Sequence, residues 1–136
     1  MNDFQEAERL VRQFLEALAQ RDMKTASSYL APGAKIIFPG GKLYENLDEH
    51  VKTAAKRYQW VRKTIDQVDS AKSHDDSIVV YFSGRLHGVN LNDTPFSDVR
   101  FIDRFVLRDG LIFSQEVRND LAESGVLHQK QVPDEA

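Results

Sequence analysis

The chain has 136 residues, which is the length of a single domain with one hydrophobic core and leaves no room for separate cofactor and substrate domains. Its 41% hydrophobic and 29% charged residues are ordinary for a folded globular protein, and the lack of cysteine excludes disulfides, thiolate metal sites and cysteine nucleophiles. A net charge of -3 gives no general attraction to nucleic acid or to anionic lipid, so we expect neither as a partner.

The first residues of the chain have neither a basic segment nor an apolar run of the kind found in secretory signals. The longest apolar runs, at residues 36–38 and 78–82, are far shorter than the roughly 20 residues that a membrane helix needs. These features predict a cytoplasmic protein.

The pattern of the first 58 residues predicts three helices with a short hairpin of strands between the second and the third. Apolar residues three and four apart place a helix from Phe4 to Leu18, with Asp3 and Glu6 as its capping box. Asp22 can cap a second helix that ends at residues 32–33, Pro-Gly. Residues 34–38 form the predicted strand, and Asn46 can cap the third helix.

From residue 60 onward the alternation of apolar and polar residues predicts four long strands, at 60–71, 77–89, 95–107 and 111–119. The last two are joined by Asp109-Gly110, which is typical of a tight hairpin turn. Residues 129–136 are polar and predict a flexible tail after a single domain at 1–128. Helices followed by antiparallel strands indicate an α+β fold with the helices on one face of the sheet.

Alternation along a strand also assigns side chains to the two faces of the sheet. On the last three strands, the residues predicted to face the helices are Ile78, Val80, Phe82, Gly84, Leu86, Val99, Phe101, Asp103, Phe105, Leu107, Phe113, Gln115, Val117 and Asn119. On the outer face Glu116 can pair across the hairpin with Arg104.

Asp103 is the residue singled out for chemistry, because an aspartate between Phe101 and Phe105 on an apolar face is costly without partners. In a functional interpretation, desolvation keeps the carboxylic acid neutral, so that it donates a hydrogen bond to a ligand carbonyl or oxyanion. In a structural interpretation, it accepts hydrogen bonds from a nearby backbone group, tyrosine or arginine and fixes the core.

The helices, the stretch VRFIDRF at residues 99–105, the turn DG at 109–110 and VRND at 117–120 resemble the NTF2-like superfamily, in particular its SnoaL-like and steroid isomerase-like branches. The resemblance covers about residues 4–122. It implies a cone-shaped α+β domain, with helices packed on a strongly curved, mainly antiparallel sheet, that encloses a small-molecule pocket and is commonly dimeric.

Within the resemblance, Asp103 matches the aspartate of the steroid isomerase oxyanion hole, which implies a carboxylic acid that stays protonated at neutral pH. Phe38 stands near the position of the isomerase's general-base aspartate, and Phe14 near that of its oxyanion-hole tyrosine. Because two of the three chemical groups are replaced by phenylalanine, steroid isomerisation by that route is disfavoured, while a pocket containing Asp103 is still expected.

The four histidines, His50, His74, His87 and His128, lack metal-ligand spacing, and we expect neither a metal nor a cofactor. His50 is the candidate proton carrier, since the third helix borders the pocket mouth in the resembled fold. The alternative is a partly solvated helix histidine without a catalytic role. His87 is predicted on the outer face.

The hypothesis that these residues favour is binding of a hydrophobic carbonyl compound, with isomerisation, cyclisation or dehydration by Asp103 and His50. The predicted pocket wall comprises Phe14, Phe38, Tyr58, Trp60, Phe82, Phe101, Phe105, Phe113, Gln115 and Asn119. The outer sheet face is predicted to form a homodimer interface through Arg85, His87, Arg100, Ile102, Arg104, Glu116 and Arg118.

The alternative function is a non-catalytic accessory domain whose sheet or cone mouth binds a protein. Phe14 and Phe38 at the two replaced positions favour this alternative. The basic residues at 52–63, interleaved with Tyr58 and Trp60, could in principle bind single-stranded nucleic acid, but the end of a helix and the closure of the core explain them better.

Overall fold

The fold is described from a computed structural model that covers residues 2–44 and 46–127. His128 and the predicted tail at 129–136 lie outside the described residues. Three helices precede and interrupt a six-stranded sheet, in the order α1, α2, β1, β2, α3, β3, β4, β5 and β6. The predicted α+β architecture is confirmed, with the helices packed on a curved and unclosed sheet.

Helix α1 spans Asp3–Ala19, and its cap is Asn2, one residue before the predicted cap. The side chain of Asn2 accepts a hydrogen bond from the Gln5 backbone amide at 2.8 Å, and the Gln5 side chain accepts one from the Asn2 amide at 3.0 Å. The predicted capping box of Asp3 and Glu6 is therefore wrong. These two carboxylates lie instead in the first turn, where they stabilise the positive end of the helix dipole.

Helix α2 spans Met23–Ser28 and is capped by Asp22, as predicted. It ends before the predicted stop, because strand β1 already begins at Leu30 and extends to Phe38. Residues 32–33, Pro-Gly, lie inside β1, where its pairing with β6 is irregular. A strand tolerates proline at such an irregularity, because no ladder hydrogen bond from its nitrogen is required there.

A short strand β2, Lys42–Tyr44, pairs with β1, and helix α3 follows at Leu47–Ala55. The Asn46 side chain accepts a hydrogen bond from the Glu49 amide at 2.9 Å, which confirms the predicted cap. Helix α3 thereby lies beside the end of β1, where it can close one side of the space above the sheet.

The four predicted long strands are confirmed within two residues at each end: β3 spans Tyr58–Lys72, β4 Ile78–Asn90, β5 Pro95–Arg108 and β6 Leu111–Asn119. The strand order is β2-β1-β6-β5-β4-β3. All neighbours are antiparallel except β1 and β6, which are parallel. The first and last strands of the chain, β1 and β6, therefore lie side by side within the sheet.

The apolar stripe of α1 packs on the inner face of the sheet and forms the core. Phe14 lies edge-on to Phe105 with ring centroids 6.2 Å apart, and Phe82 lies edge-on to Phe105 at 6.1 Å. All three rings are fully buried. The predicted inner faces of β4 and β5 are confirmed, since Val80, Leu86, Val99 and Leu107 are buried with them.

Phe113 is the exception to the predicted faces. Leu107 pairs with Ile112 and Val106 with Ser114, so Phe113 is the extra residue of a β-bulge. The prediction that Phe113 faces the helices is wrong, because the bulge reverses the alternation: Ile112 enters the core instead, and the Arg108 guanidinium lies 4.9 Å above the Phe113 ring. Beyond the bulge, Gln115 and Val117 face inward as predicted.

Gly84 lies on the inner face where a second bulge, at Asp66 of β3, brings the strands together. A Cβ atom at Gly84 would lie 1.9 Å from the Thr64 carbonyl oxygen. The close approach of β3 and β4 therefore requires glycine at this position, and it curves the sheet toward the helices.

Candidate functional site

A cavity of about 1320 Å³ lies between the inner face of the sheet and the three helices. It exceeds the roughly 300–1,000 Å³ typical of ligand sites, since it is continuous with an open groove along α1. Polar and aromatic side chains at its wall include Phe38, His50, Tyr58, Trp60, Lys63, Phe101, Asp103, Gln115 and Asn119.

Asp103 lies at the cavity wall on β5 and is fully buried, with 0% of its surface exposed. The Lys63 ammonium on β3 donates a hydrogen bond to Asp103 Oδ2 at 2.6 Å. The same ammonium lies 5.1 Å from the centre of the Phe101 ring. A buried carboxylate requires a charged partner of this kind, so the pair is an ion pair at the boundary of the core and the cavity.

The ion pair changes the chemistry expected of Asp103. The functional interpretation from the sequence has a neutral acid that donates a hydrogen bond, whereas Asp103 here accepts one from Lys63. The structural interpretation names tyrosine, arginine or backbone as the partner, and the partner is a lysine. In this arrangement Lys63 is the donor available to a ligand oxygen, and Asp103 is the acceptor.

Two buried oxygen atoms at the cavity wall have no hydrogen-bond partner among the described residues. They are Asp103 Oδ1 and Gln115 Oε1, on the neighbouring strands β5 and β6. Buried acceptors are nearly always satisfied in folded proteins, and an unsatisfied one costs about 1–3 kcal/mol. Each of these oxygens therefore has unused capacity to accept a hydrogen bond beside the cavity.

His50 lies on α3 at the cavity wall, with its ring edge-on to Phe38 at a centroid distance of 4.7 Å. Its Nδ1 atom is buried without a partner in the described part of the chain. Burial, with smaller contributions from the positive charges of Lys63 and Arg21, lowers the pKa of His50 from 6.5 to about 4. The imidazole is therefore neutral at pH 7, which favours hydrogen bonding to a ligand over proton transport.

The lowered pKa of His50 makes the stability of the protein depend on pH. Between pH 6.5 and 4 the unfolded chain binds a proton at His50 and the folded chain does not, so the free energy of unfolding falls as the pH falls. We expect His50 to account for a loss of about 2 kcal/mol between pH 7 and pH 5. Urea unfolding at both pH values measures it.

The variant His50→Gln is expected to lack this part of the pH dependence. His74→Gln is the matched control, because His74 is exposed in the turn between β3 and β4 and should leave the dependence unchanged. Equal losses of stability in the wild type and His50→Gln would contradict the assignment.

Tyr58 and Trp60 lie at the start of β3, on the cavity wall. Burial is the main cause that raises the pKa of the Tyr58 phenol, which therefore stays protonated at neutral pH and can donate a hydrogen bond. Trp60 is 44% exposed, and the Arg62 guanidinium lies 5.2 Å from the centre of its ring. The two side chains thus form a polar and aromatic part of the wall that solvent reaches.

The structure separates the predicted wall residues into two groups. Phe38, Tyr58, Trp60, Phe101, Gln115 and Asn119 border the cavity together with Asp103 and His50. Phe14, Phe82 and Phe105 lie in the core instead, and Phe113 lies under Arg108. Asn119 also has a structural role, since its side-chain oxygen accepts a hydrogen bond from the Leu121 amide at 3.2 Å.

Lys63 is the cavity residue that the sequence interpretation misses. The sequence signal for Lys63 is the alternation of Val61, Lys63 and Ile65, which places a lysine in an inward-facing apolar stripe. Asp103 lies in a similar apolar stripe of its own strand. The two stripes are on β3 and β5, which lie on either side of β4. The two patterns could have predicted that each side chain faces inward, whereas the contact between them follows from the strand order.

The outer sheet face, where the dimer interface is predicted, carries ion pairs around one exposed apolar residue. Ile102 is 40% exposed. Arg85 pairs with Asp66 and Asp98, Arg100 with Asp120, and Arg118 with Glu116. Arg104 lies opposite Glu116 in the predicted register, but its guanidinium donates a hydrogen bond to the Tyr81 hydroxyl at 3.3 Å, and Glu116 pairs with Arg118 instead of Arg104. The interface itself stays a prediction.

Among the helices of the described residues, none combines the length and the apolar character that crossing a membrane requires.

Comparison with known proteins identifies relatives of this architecture. The family model of the SnoaL-like domain matches residues 11–115. No curated protein matches the sequence significantly. Among solved structures, an NTF2-like protein of unknown function from Burkholderia pseudomallei K96243 is 18% identical, with a TM-score of 0.77 over 91% of this chain and 98% of that one.

Two other solved structures are similar in fold to this chain. TerC, co-crystallised with polyporic acid, is 16% identical, with a TM-score of 0.75 over 90% of this chain and 97% of that one. A proposed SnoaL-like polyketide cyclase from Jannaschia sp. CCS1 is 19% identical, with a TM-score of 0.68 over 95% of this chain and 96% of that one. At these identities the likeness shows the fold alone.

Proposed function

Because the chain belongs to the SnoaL-like domain family, we propose that its cavity binds a small hydrophobic carbonyl compound and that Asp103 and Lys63 act on it. The observation that carries the proposal is the ion pair of the buried Asp103 with the partly exposed Lys63 at the cavity wall, whose Asp103 Oδ1 atom is unpartnered within the described residues. A carboxylate oxygen and an ammonium side by side are the two groups that proton removal next to a carbonyl requires.

In the proposed step, the ligand carbonyl oxygen accepts a hydrogen bond from the Lys63 ammonium. Asp103 Oδ1 takes a proton from the carbon beside the carbonyl, so that a C–H bond breaks and an O–H bond forms. The electron pair of the C–H bond becomes the enolate double bond, and the negative charge moves to the oxygen beside Lys63. The apolar surroundings strengthen this charge interaction because little water competes with it.

The same enolate leads to each of the reactions considered for this fold. Return of the proton to a different carbon is an isomerisation. Attack of the enolate carbon on a second carbonyl of the same molecule is a cyclisation, in which the new alkoxide takes the proton from Asp103. Loss of that hydroxyl with a neighbouring proton is a dehydration. The similarity to a proposed polyketide cyclase supports cyclisation among the three.

The experiment uses 2-tetralone as a probe, because it is an apolar ketone with acidic C–H groups and fits a cavity of this size. We expect the protein to accelerate exchange of the C1 protons in D2O, followed by NMR at neutral pD. Asp103→Asn should slow the protein-dependent exchange about 100-fold, the size expected for loss of a general base.

Asp98→Asn is the matched control, since Asp98 lies on the same strand but is exposed and paired with Arg85. It should exchange 2-tetralone at the wild-type rate. Exchange at an unchanged rate in Asp103→Asn would overturn the proposed role of Asp103. The absence of both exchange and any change in Trp60 fluorescence on adding 2-tetralone would overturn the pocket itself.

The alternative of a non-catalytic interaction domain expects aromatic side chains to fill the space between helices and sheet. Phe14 does lie in the core, but Phe38 and Phe101 border a cavity of about 1320 Å³ instead of filling it. The open volume and the unpartnered oxygens beside it therefore support a ligand site over a filled scaffold.

A further inference from the structure

The cavity differs in charge from the chain as a whole. The described residues that border it include six cations, Arg9, Arg12, Arg21, Arg57, Arg62 and Lys63, and three carboxylates, Glu16, Asp22 and Asp103. With His50 neutral, the wall carries a formal charge of +3, whereas the full chain carries -3. A concave, weakly polarisable wall of one sign concentrates ions of the opposite sign.

Most of these cations already contact a carboxylate or an aromatic ring of the protein. Arg9 forms an ion pair with Glu6 outside the cavity wall, and Lys63 forms one with Asp103. The guanidinium of Arg12 lies over the Phe82 ring at 5.2 Å, and that of Arg62 lies over Trp60. These contacts occupy one side of each cation and leave Arg21 and Arg57 as the cations without an aromatic or carboxylate contact among the described residues.

Arg21 and Arg57 approach the cavity from two turns at the same end. Arg21 follows α1, and its guanidinium donates a hydrogen bond to the Leu18 carbonyl at 3.2 Å, which fixes the side chain in place. Arg57 follows α3 and is half-buried. Both act electrostatically on the Tyr58 phenol, and Arg21 also acts on His50. Both residues border the cavity.

We infer that the ligand is an anion, a hydrophobic carboxylate whose charged group lies against Arg57 and Arg21 while its carbonyl reaches Lys63. Guanidinium groups bind carboxylates through paired hydrogen bonds, and they are weakly hydrated, so they lose little on contact with a partly apolar ligand. The inference rests on the proposed function, since it names the class of compound that the same cavity takes.

The test compares naphthalene-2-carboxylate with naphthalene-2-carboxamide, which have the same shape and differ in charge. Isothermal titration calorimetry at low salt should show at least tenfold tighter binding of the carboxylate. Raising the salt to 0.5 M should reduce that difference several-fold, because added ions screen a charge interaction that is open to solvent. The amide should bind equally at both salt concentrations.

Variants assign the charge preference to the two arginines. Arg57→Gln should weaken carboxylate binding about tenfold and leave amide binding unchanged, and Arg57→Lys should retain part of the preference. Arg21→Gln should also weaken carboxylate binding, so the test still gives a result if one of the two variants folds poorly. Arg118→Gln is the matched control, because it removes an equal charge from the exposed outer face of β6 and should change neither affinity.

The outcomes distinguish a failure of this inference from a failure of the proposed function. Equal affinities for the two probes would overturn the anionic ligand, and a charge preference that survives both arginine variants would overturn its placement against Arg57 and Arg21. Either result would leave the pocket and Asp103 in place. Failure of both probes to bind, together with unchanged Trp60 fluorescence, would overturn the anionic ligand and the pocket.

Discussion

Replacing Lys63 with methionine is expected to lower the free energy of unfolding by about 3 kcal/mol, even though the lysine side chain is 30% exposed. The cost arises at Asp103, which is fully buried and would lose its charged partner at 2.6 Å. Methionine is one atom shorter than lysine and apolar, so the variant removes the ammonium and keeps most of the packing of the side-chain stem. Urea unfolding at pH 7 measures the change.

A double variant distinguishes the loss of a partner from a loss of packing. Lys63→Met combined with Asp103→Leu should be more stable than Lys63→Met alone, because no unpaired charge remains in the core. Lys72→Met is the matched control, since Lys72 is exposed at the end of the same strand and should cost less than about 0.5 kcal/mol. A cost for Lys63→Met as small as that control would show that Asp103 does not depend on the ion pair.

Much of the fold can be predicted from the sequence because its periodic patterns are strong. The alternation at residues 99–107 places Asp103 among buried phenylalanines, and Asp103 is indeed fully buried. The turn at Asp109-Gly110 is also predictable, since both residues adopt positive φ angles that few other residue pairs tolerate. Local preferences and tertiary structure agree at these positions, so one sequence suffices to find them.

β-Bulges limit predictions made from the alternation of apolar and polar residues, since a single inserted residue reverses that alternation. Phe113 faces outward for this reason, and Asp66 is the corresponding insertion on β3. Contacts between strands that are distant in the chain limit prediction from the sequence further. Lys63 and Asp103 are 40 positions apart, and whether their strands lie close enough for contact depends on the order of the strands. Neither an inserted residue nor the strand order has a local signal in the sequence.

The cavity wall was only partly predictable because a phenylalanine on an inner face can fill the core or border an open space. Phe101 and Phe105 have the same sequence signal, yet Phe101 borders the cavity and Phe105 does not. The difference lies in what covers them, since Phe105 lies under Phe14 of α1. The position of a helix over the sheet depends on tertiary packing. The sequence therefore predicts on which face of the sheet a phenylalanine lies, but not which side chain covers it.

Phe105→Ala is expected to have the largest effect on stability, about 4 kcal/mol, because Phe105 packs edge-on against both Phe14 and Phe82 in the core. Removing the ring leaves a void that these two rigid neighbours cannot fill. Urea unfolding gives the change in the free energy of unfolding. Since Phe105 does not border the cavity, the folded variant should exchange 2-tetralone protons at the wild-type rate.

Phe38→Ala supplies the contrasting result, because Phe38 borders the cavity, is only half-buried, and packs on His50 and Tyr44. Its cost in stability should be about 2 kcal/mol, smaller than that of Phe105→Ala, since partial exposure reduces both the transfer and the cavity contributions. Its 2-tetralone binding should weaken as apolar wall is lost. If Phe105→Ala instead impaired exchange and Phe38→Ala did not, the division of the phenylalanines between core and ligand wall would be reversed, and the ligand would have to lie deeper under α1.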